Sequence, residues 1–134
     1  MVTFLDTNVL INVLKEDPES PGPNMKSLND AKSRGRILIT DIVYSEFSIA
    51  LATEDEVDEV IKSLGVTRIS CPAKGLFRAG KAFKAYKEAN AGPKGNVLPD
   101  FLIGAHAAAE NAPLVTTDVK RMSQYFPDLT IIQP

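Results

Sequence analysis

Five short apolar runs punctuate the chain: 2-VTFL-5, 36-RILIT-40, 67-TRIS-70, 114-LVTT-117 and 129-LTIIQ-133. They are rich in the residues that suit a pleated, buried strand. Between them, apolar positions recur at three- and four-residue intervals, predicting helices over about 7–15, 24–34, 42–52, 54–64, 72–90 and 100–110. Strands alternating with helices imply right-handed crossovers and a mostly parallel sheet with helices on both faces. The expected fold is a three-layer α/β/α sandwich. The proline-rich stretch 17-DPESPGPN-24 and the stretch 90-NAGPKGNVLP-99 read as loops, the second leading into a helix whose start is marked by Pro99 and Asp100.

One helix departs from a plain apolar pattern. In 42-IVYSEFSIAL-51 the buried stripe is expected at Val43, Phe47 and Ala50, with Ile49 and Leu51 beside it, and Glu46 falls inside that stripe. In 54-EDEVDEVIKSL-64, by contrast, Val57, Val60, Ile61 and Leu64 form the buried face, and the acids are a solvated one. Asp41, just before the first of these helices, reads as its cap.

At 134 residues the chain is the size of one domain, and residues 1–134 are expected to form a single one. An apolar fraction of 44% and a charged fraction of 24%, with no 18-residue apolar run, argue for a globular protein without a membrane span. The start MVTFLD lacks a basic lead and a long apolar segment, so a cytoplasmic location is expected. With one cysteine (Cys71) and one histidine (His106), a Cys/His zinc site within one subunit is excluded. The net charge of −2 hides a segregation: Asp41 to Val60 holds seven acids and no base, whereas Arg68 to Lys94 holds seven bases and one acid. Such a distribution can put a basic face on an acidic protein.

Four acids stand where a purely structural role is incomplete. Asp6 ends the first strand, Glu46 interrupts an apolar stripe, Asp100 opens the apolar helix 101-FLIGAHAAA-109, and Asp118 ends the strand 114–117. Each of Asp6, Asp100 and Asp118 can also be read as a helix N-cap, and Glu46 can bend out to solvent. In an open α/β sheet, however, strand C-termini line one edge, and ligands bind where strand order reverses. If the first strand is central and 114–117 lies beside it, Asp6 and Asp118 converge there, and helices starting at that edge bring in Glu46 and Asp100. Carboxylates so grouped repel one another unless their pKa values rise or a cation neutralises them. Without a Cys/His cluster the expected cation is a hard, oxygen-liking one, Mg²⁺ or Mn²⁺, able to activate a water against a phosphodiester. Thr7, Asn8, Thr116 and Thr117 are placed to hydrogen-bond the carboxylates or a metal-bound water, and each can equally be read as a cap or turn residue.

Together these residues resemble the PIN domain family, and within it the VapC-type ribonuclease toxins of toxin-antitoxin pairs. The resemblance rests on LDTNVL near the N-terminus, YSEF around Glu46, PDFLIGAHA around Asp100 and LVTTD around Asp118, in order over nearly the whole chain. It implies a sheet of four or five parallel strands, a Mg²⁺ or Mn²⁺ site made by Asp6, Glu46, Asp100 and Asp118, endonucleolytic cleavage of RNA, homodimerisation, and inhibition by a cognate antitoxin protein. Asp6 and Asp100 match the family's firmest ligands, and Thr116 its small hydroxyl residue two positions before the last acid. The polar insert 17–24 departs from the pattern.

RNA approaching a negative cleft needs positive charge nearby. Lys74, Arg78, Lys81 and Lys84, at spacings of four, three and three on one helix, and Lys94 in the following loop are the expected phosphate contacts. Phe77, Phe83 and Tyr86 on the same helix read as core or dimer-interface residues, and His106 as a packed, hydrogen-bonded histidine and not a general base. Three other functions compete. A haloacid-dehalogenase-type phosphatase needs a second acid where this chain has Asn8. A receiver domain needs an acidic pair at the first strand end and a lysine after the last strand, where this chain reads TIIQP. A catalytically weak PIN-like module would bind RNA without cutting it.

Overall fold

The computed structural model describes residues 1–90 and 97–134. In chain order these form β1 (Val2–Leu5), α1 (Thr7–Lys15), α2 (Pro23–Arg34), β2 (Arg36–Ile39), α3 (Asp41–Ser48), α4 (Glu54–Ser63), β3 (Val66–Arg68), α5 (Ala73–Ala89), α6 (Leu98–Ala109), β4 (Leu114–Val115), α7 (Val119–Tyr125) and β5 (Ile131–Ile132). The strands make one five-stranded sheet in the order β3-β2-β1-β4-β5, every pairing parallel. Phe4 and Leu5, and likewise Ile37, Leu38 and Ile39, are buried in succession, so both sheet faces are covered, as helical crossovers require. This is the expected α/β/α sandwich. No helix among the described residues is long and apolar enough to cross a membrane.

The topology fixes the position of the site. The chain steps outward from β1 through β2 to β3, then returns to the other side of β1 for β4 and β5, so strand order reverses between β1 and β4. Leu5 lies opposite Val115 in that pair, and the Asp6 amide donates to the Val115 carbonyl at 3.0 Å. Asp6 and Thr116 therefore leave the sheet side by side.

Several local details differ from the expectations. Strands β4 and β5 are only two residues long each, although Thr116 still donates its amide to the Ile132 carbonyl at 3.0 Å. Helix α3 stops at Ser48 because its last turn tightens: the amides of Ile49, Ala50 and Leu51 each reach back three residues. That tightening takes Ala50 off the buried stripe, which keeps only Val43 and Phe47, and leaves Ile49 beside it 86% exposed. The cap of α3 is Thr40, whose hydroxyl accepts from the Val43 amide at 3.1 Å; Asp41 sits one position inside and pairs instead with Arg68 at 2.7 Å. Helix α2 begins at Pro23, its first turn held by Glu16, whose carboxylate accepts from the Asn24 and Met25 amides at 3.0 and 2.9 Å.

Helix α7 was not expected. Its buried Met122, with the following Phe126, packs against α6 at Gly104, where an added Cβ would stand 2.7 Å from the Met122 sulfur and 2.8 Å from the Phe126 ring. A side chain there would push α7 away. This close approach sets α7 beside the first turn of α6 and so beside Asp100.

Candidate active site

Each acid reaches the β1/β4 edge by a different local device. Asp6 follows β1 in extended backbone and caps α1, its Oδ1 accepting from the Thr7 amide at 2.8 Å. Its other oxygen, Oδ2, accepts from the buried Thr116 hydroxyl at 2.6 Å, and that hydroxyl accepts from the Asp118 amide at 3.0 Å. Thr116 thus ties the end of β1 to the turn after β4. Glu46, on α3, is half-buried and its Oε1 accepts from the Thr7 hydroxyl at 2.6 Å. Capping and site-forming roles coexist at Asp6. At the other positions the cap reading fails. Asp100 stands in the first turn of α6, two residues after the helix begins at Leu98, and Asp118 holds the N-cap position of α7 without bonding a backbone amide through its side chain. Asn8 and Thr117 are exposed and, among the described residues, hydrogen-bond no acid.

The carboxylates feel one another. Burial pushes the Asp6 pKa up, hydrogen bonds from Thr116 and the Thr7 amide pull it down, and the charges of Glu46 and Asp118 push it up again. Asp100 is raised to about 6, first by burial; Arg121 opposes that rise, while Asp6, Glu46 and Asp118 add to it. The structure therefore brings all four acids into one electrostatic unit.

A residue absent from the sequence expectations holds part of this unit. Arg121, on α7, donates from Nε and Nη2 to Asp118 Oδ2 at 2.9 and 2.6 Å, and from Nη2 to Asp100 Oδ2 at 2.8 Å. An arginine three residues after an acid on a helix is a recognisable pairing, but only once 119-VKRMSQY-125 is read as helical. The set of oxygen donors suits a hard divalent ion. As the side chains stand, however, no group of three or more His, Cys, Asp or Glu among the described residues is arranged to hold a metal, and Asp100 and Asp118 are both paired with Arg121.

Beside the acids lies an open groove of about 550 Å³, lined by Asp118, Lys120, Arg121 and Gln124 and by Tyr86, Asn90 and Tyr125. Only the C-terminal end of α5 borders it. Lys74 stands sixteen residues before Asn90, about 24 Å away along the helix, so it does not flank the cleft. Arg78 is committed elsewhere, forming a two-pronged ion pair with Asp128 and stacking 5.2 Å from the Phe126 ring centroid. Lys81 is exposed over Phe77, and Lys84 is exposed with Glu88 4.0 Å away. Lys94 lies outside the described residues. Lys120, missed in the sequence, borders the groove directly.

His106 is fully buried against Phe4, the ring centroids 4.9 Å apart, with burial lowering its pKa. Neither nitrogen has a hydrogen-bond partner among the described residues, so the expected hydrogen bond is missing. Phe83 and Tyr86 are half-buried and pack edge-on to Phe101, whereas Phe77 is 67% exposed.

A family model described as "PIN domain" matches residues 3–125. The chain is 29% identical to Ribonuclease VapC2 of Rickettsia felis, over 92% of each protein. Among solved structures it resembles the VapBC-1 structure from nontypeable Haemophilus influenzae, with a TM-score of 0.74 and 25% identity, covering 99% of this chain and 98% of that one. It also resembles VapBC2 from Rickettsia felis bound to a DNA fragment from its promoter, with a TM-score of 0.72 and 24% identity over the same shares.

Proposed function

Because the chain belongs to the PIN domain family, we propose that residues 1–134 form a single nuclease domain, a divalent-metal-dependent endoribonuclease acting as the toxin of a toxin-antitoxin pair. The observation that carries this reading is the convergence of Asp6, Glu46, Asp100 and Asp118 at the β1/β4 reversal, two of them gripped by threonine hydroxyls. Buried acids with raised pKa values are unfavourable as bare anions. A cation relieves that cost.

Asp6 is the central ligand in this account, because Thr116 and the Thr7 amide fix both of its oxygens from the side of the fold. Asp100 is the second, with Glu46 and Asp118 completing the set. Mg²⁺ or Mn²⁺ bound there supplies an activated water and neutralises charge growing on the phosphoryl group. The chain's own contribution is orientation: Thr7 aims Glu46, and Thr116 joins Asp6 to the Asp118 turn. Lys120 in the groove, with Lys81 and Lys84 farther along α5, supports the RNA backbone. The partners are an RNA substrate, a cognate antitoxin and a second copy of the chain, for which the exposed Leu76 and Phe77 on α5 offer an apolar contact. The named relative is a ribonuclease, and structural neighbours include VapBC toxin-antitoxin assemblies, which favours this assignment.

The test is incubation of the purified chain with a defined single-stranded RNA in Mg²⁺ or Mn²⁺, with and without EDTA. Internal cuts that vanish with EDTA and return on adding metal are expected. Cutting that ignores EDTA would contradict the metal reading, and RNA binding without cutting would leave only a recognition module.

A further inference from the structure

The chain carries its own cation inside the acidic cluster. Arg121 makes three hydrogen bonds there, two to Asp118 and one to Asp100, all through carboxylate Oδ2 atoms. Its side chain is 28% exposed and borders the open groove, so the guanidinium can leave without unpacking the core. The guanidinium carbon stands 6.0 Å from the Phe101 ring centroid. Meanwhile no three acids among the described residues stand ready to grip an ion together.

We propose that Arg121 is a displaceable internal counter-ion: it holds Asp100 and Asp118 in the metal-free chain, and a divalent cation binds as the guanidinium is driven out into the groove. This rests on the metal-site reading above. A guanidinium within hydrogen-bond distance of both carboxylates repels an incoming dication and competes with it for one oxygen, Oδ2, of each. Arginine does not shed its proton at any ordinary pH, so it cannot yield by becoming neutral and must move. Once out, its fork of donors lies beside Lys120 on the groove wall, where it suits a phosphate of the RNA chain. Metal loading thus turns a charge that closes the site into one that receives substrate. A merely structural salt bridge would do the opposite: it would fix Asp100 and Asp118 in place, and its loss would weaken metal binding.

Calorimetric titration of Mn²⁺ into the parent, Arg121→Gln and Asp100→Asn proteins separates these cases, with circular dichroism confirming that each is folded. Arg121→Gln is expected to bind Mn²⁺ roughly tenfold more tightly than the parent. Equal or weaker binding would overturn the inference. Asp100→Asn is expected to lose binding; if it does while Arg121→Gln gains nothing, only the role of Arg121 fails. If Asp100→Asn binds as the parent does, the metal site itself is misassigned and both readings fall. A second measurement needs no variant at Arg121 in the binding step. In the NMR spectrum of the parent, the Arg121 Nε–H signal, assigned by its loss in Arg121→Lys, should shift and exchange faster with water as Mg²⁺ is added. A signal unmoved at saturating Mg²⁺ would contradict displacement.

Discussion

Asp100 has a pKa of about 6 in the folded chain, above the ordinary value of 3.8, because burial and three neighbouring acids outweigh the pull of Arg121. Between those two values the folded state holds a proton that the unfolded state has released, so this group's contribution to stability falls as pH rises through the window. Asp6 is shifted in the same direction. In EDTA, the stability of the parent relative to Asp100→Asn should therefore decline from pH 4 towards pH 6, read by urea unfolding; a difference that stays flat or rises would be inconsistent with the shift. Metal binding needs the ionised carboxylate, so Mn²⁺ affinity should weaken as pH falls below about 6. Thr116 gives a second residue-level expectation. Thr116→Val keeps the shape but removes the donor to Asp6 and the acceptor for the Asp118 amide, which should cost about 1–3 kcal/mol in urea unfolding and lower turnover more than KM. The acids stood out by position, Asp6 and Asp118 at expected strand ends, Glu46 inside an apolar stripe and Asp100 at the head of an apolar helix, and Thr116 as a hydroxyl placed to bond a carboxylate, as it does. Arg121 was not legible, since its meaning depends on a helix whose apolar positions are too few to stand out and on a partner, Asp100, twenty-one residues away in sequence.

At the scale of elements, the strands announced themselves through β-branched runs, and the order β3-β2-β1-β4-β5 matches what a central first strand requires. Ends were less visible. The tightened last turn of α3 and the choice of Thr40 over Asp41 as its cap both follow from packing, Thr40 being buried at the strand end while Asp41 is free to meet Arg68. The placing of α7 turns on Gly104, an apparently ordinary glycine in an alanine-rich helix. Gly104→Val should force α7 outward, destabilise the chain by about 1–3 kcal/mol, and separate Arg121 from Asp100. Unchanged thermal unfolding in that variant would show that α6 and α7 do not meet as described.

Across the whole molecule the charge segregation legible in the sequence becomes spatial only in part. Arg78 is paired with Asp128 and Lys74 lies at the far end of α5, so the cationic side of the groove rests on Lys120 and the released Arg121 more than on the α5 ladder. The exposed Leu76 and Phe77 on that same helix should mediate self-association: sedimentation is expected to give a dimer for the parent and a monomer for Phe77→Glu, and a parent that runs as a monomer would remove this contact. The proposed RNA cleavage depends on the carboxylates at the β1/β4 edge. The most direct measurement is the single-turnover cleavage rate of one defined RNA in saturating Mn²⁺, compared between the parent and the Asp6→Asn and Asp100→Asn variants. A loss of roughly a hundredfold or more in each folded variant is expected; variants that cut as fast as the parent would contradict it.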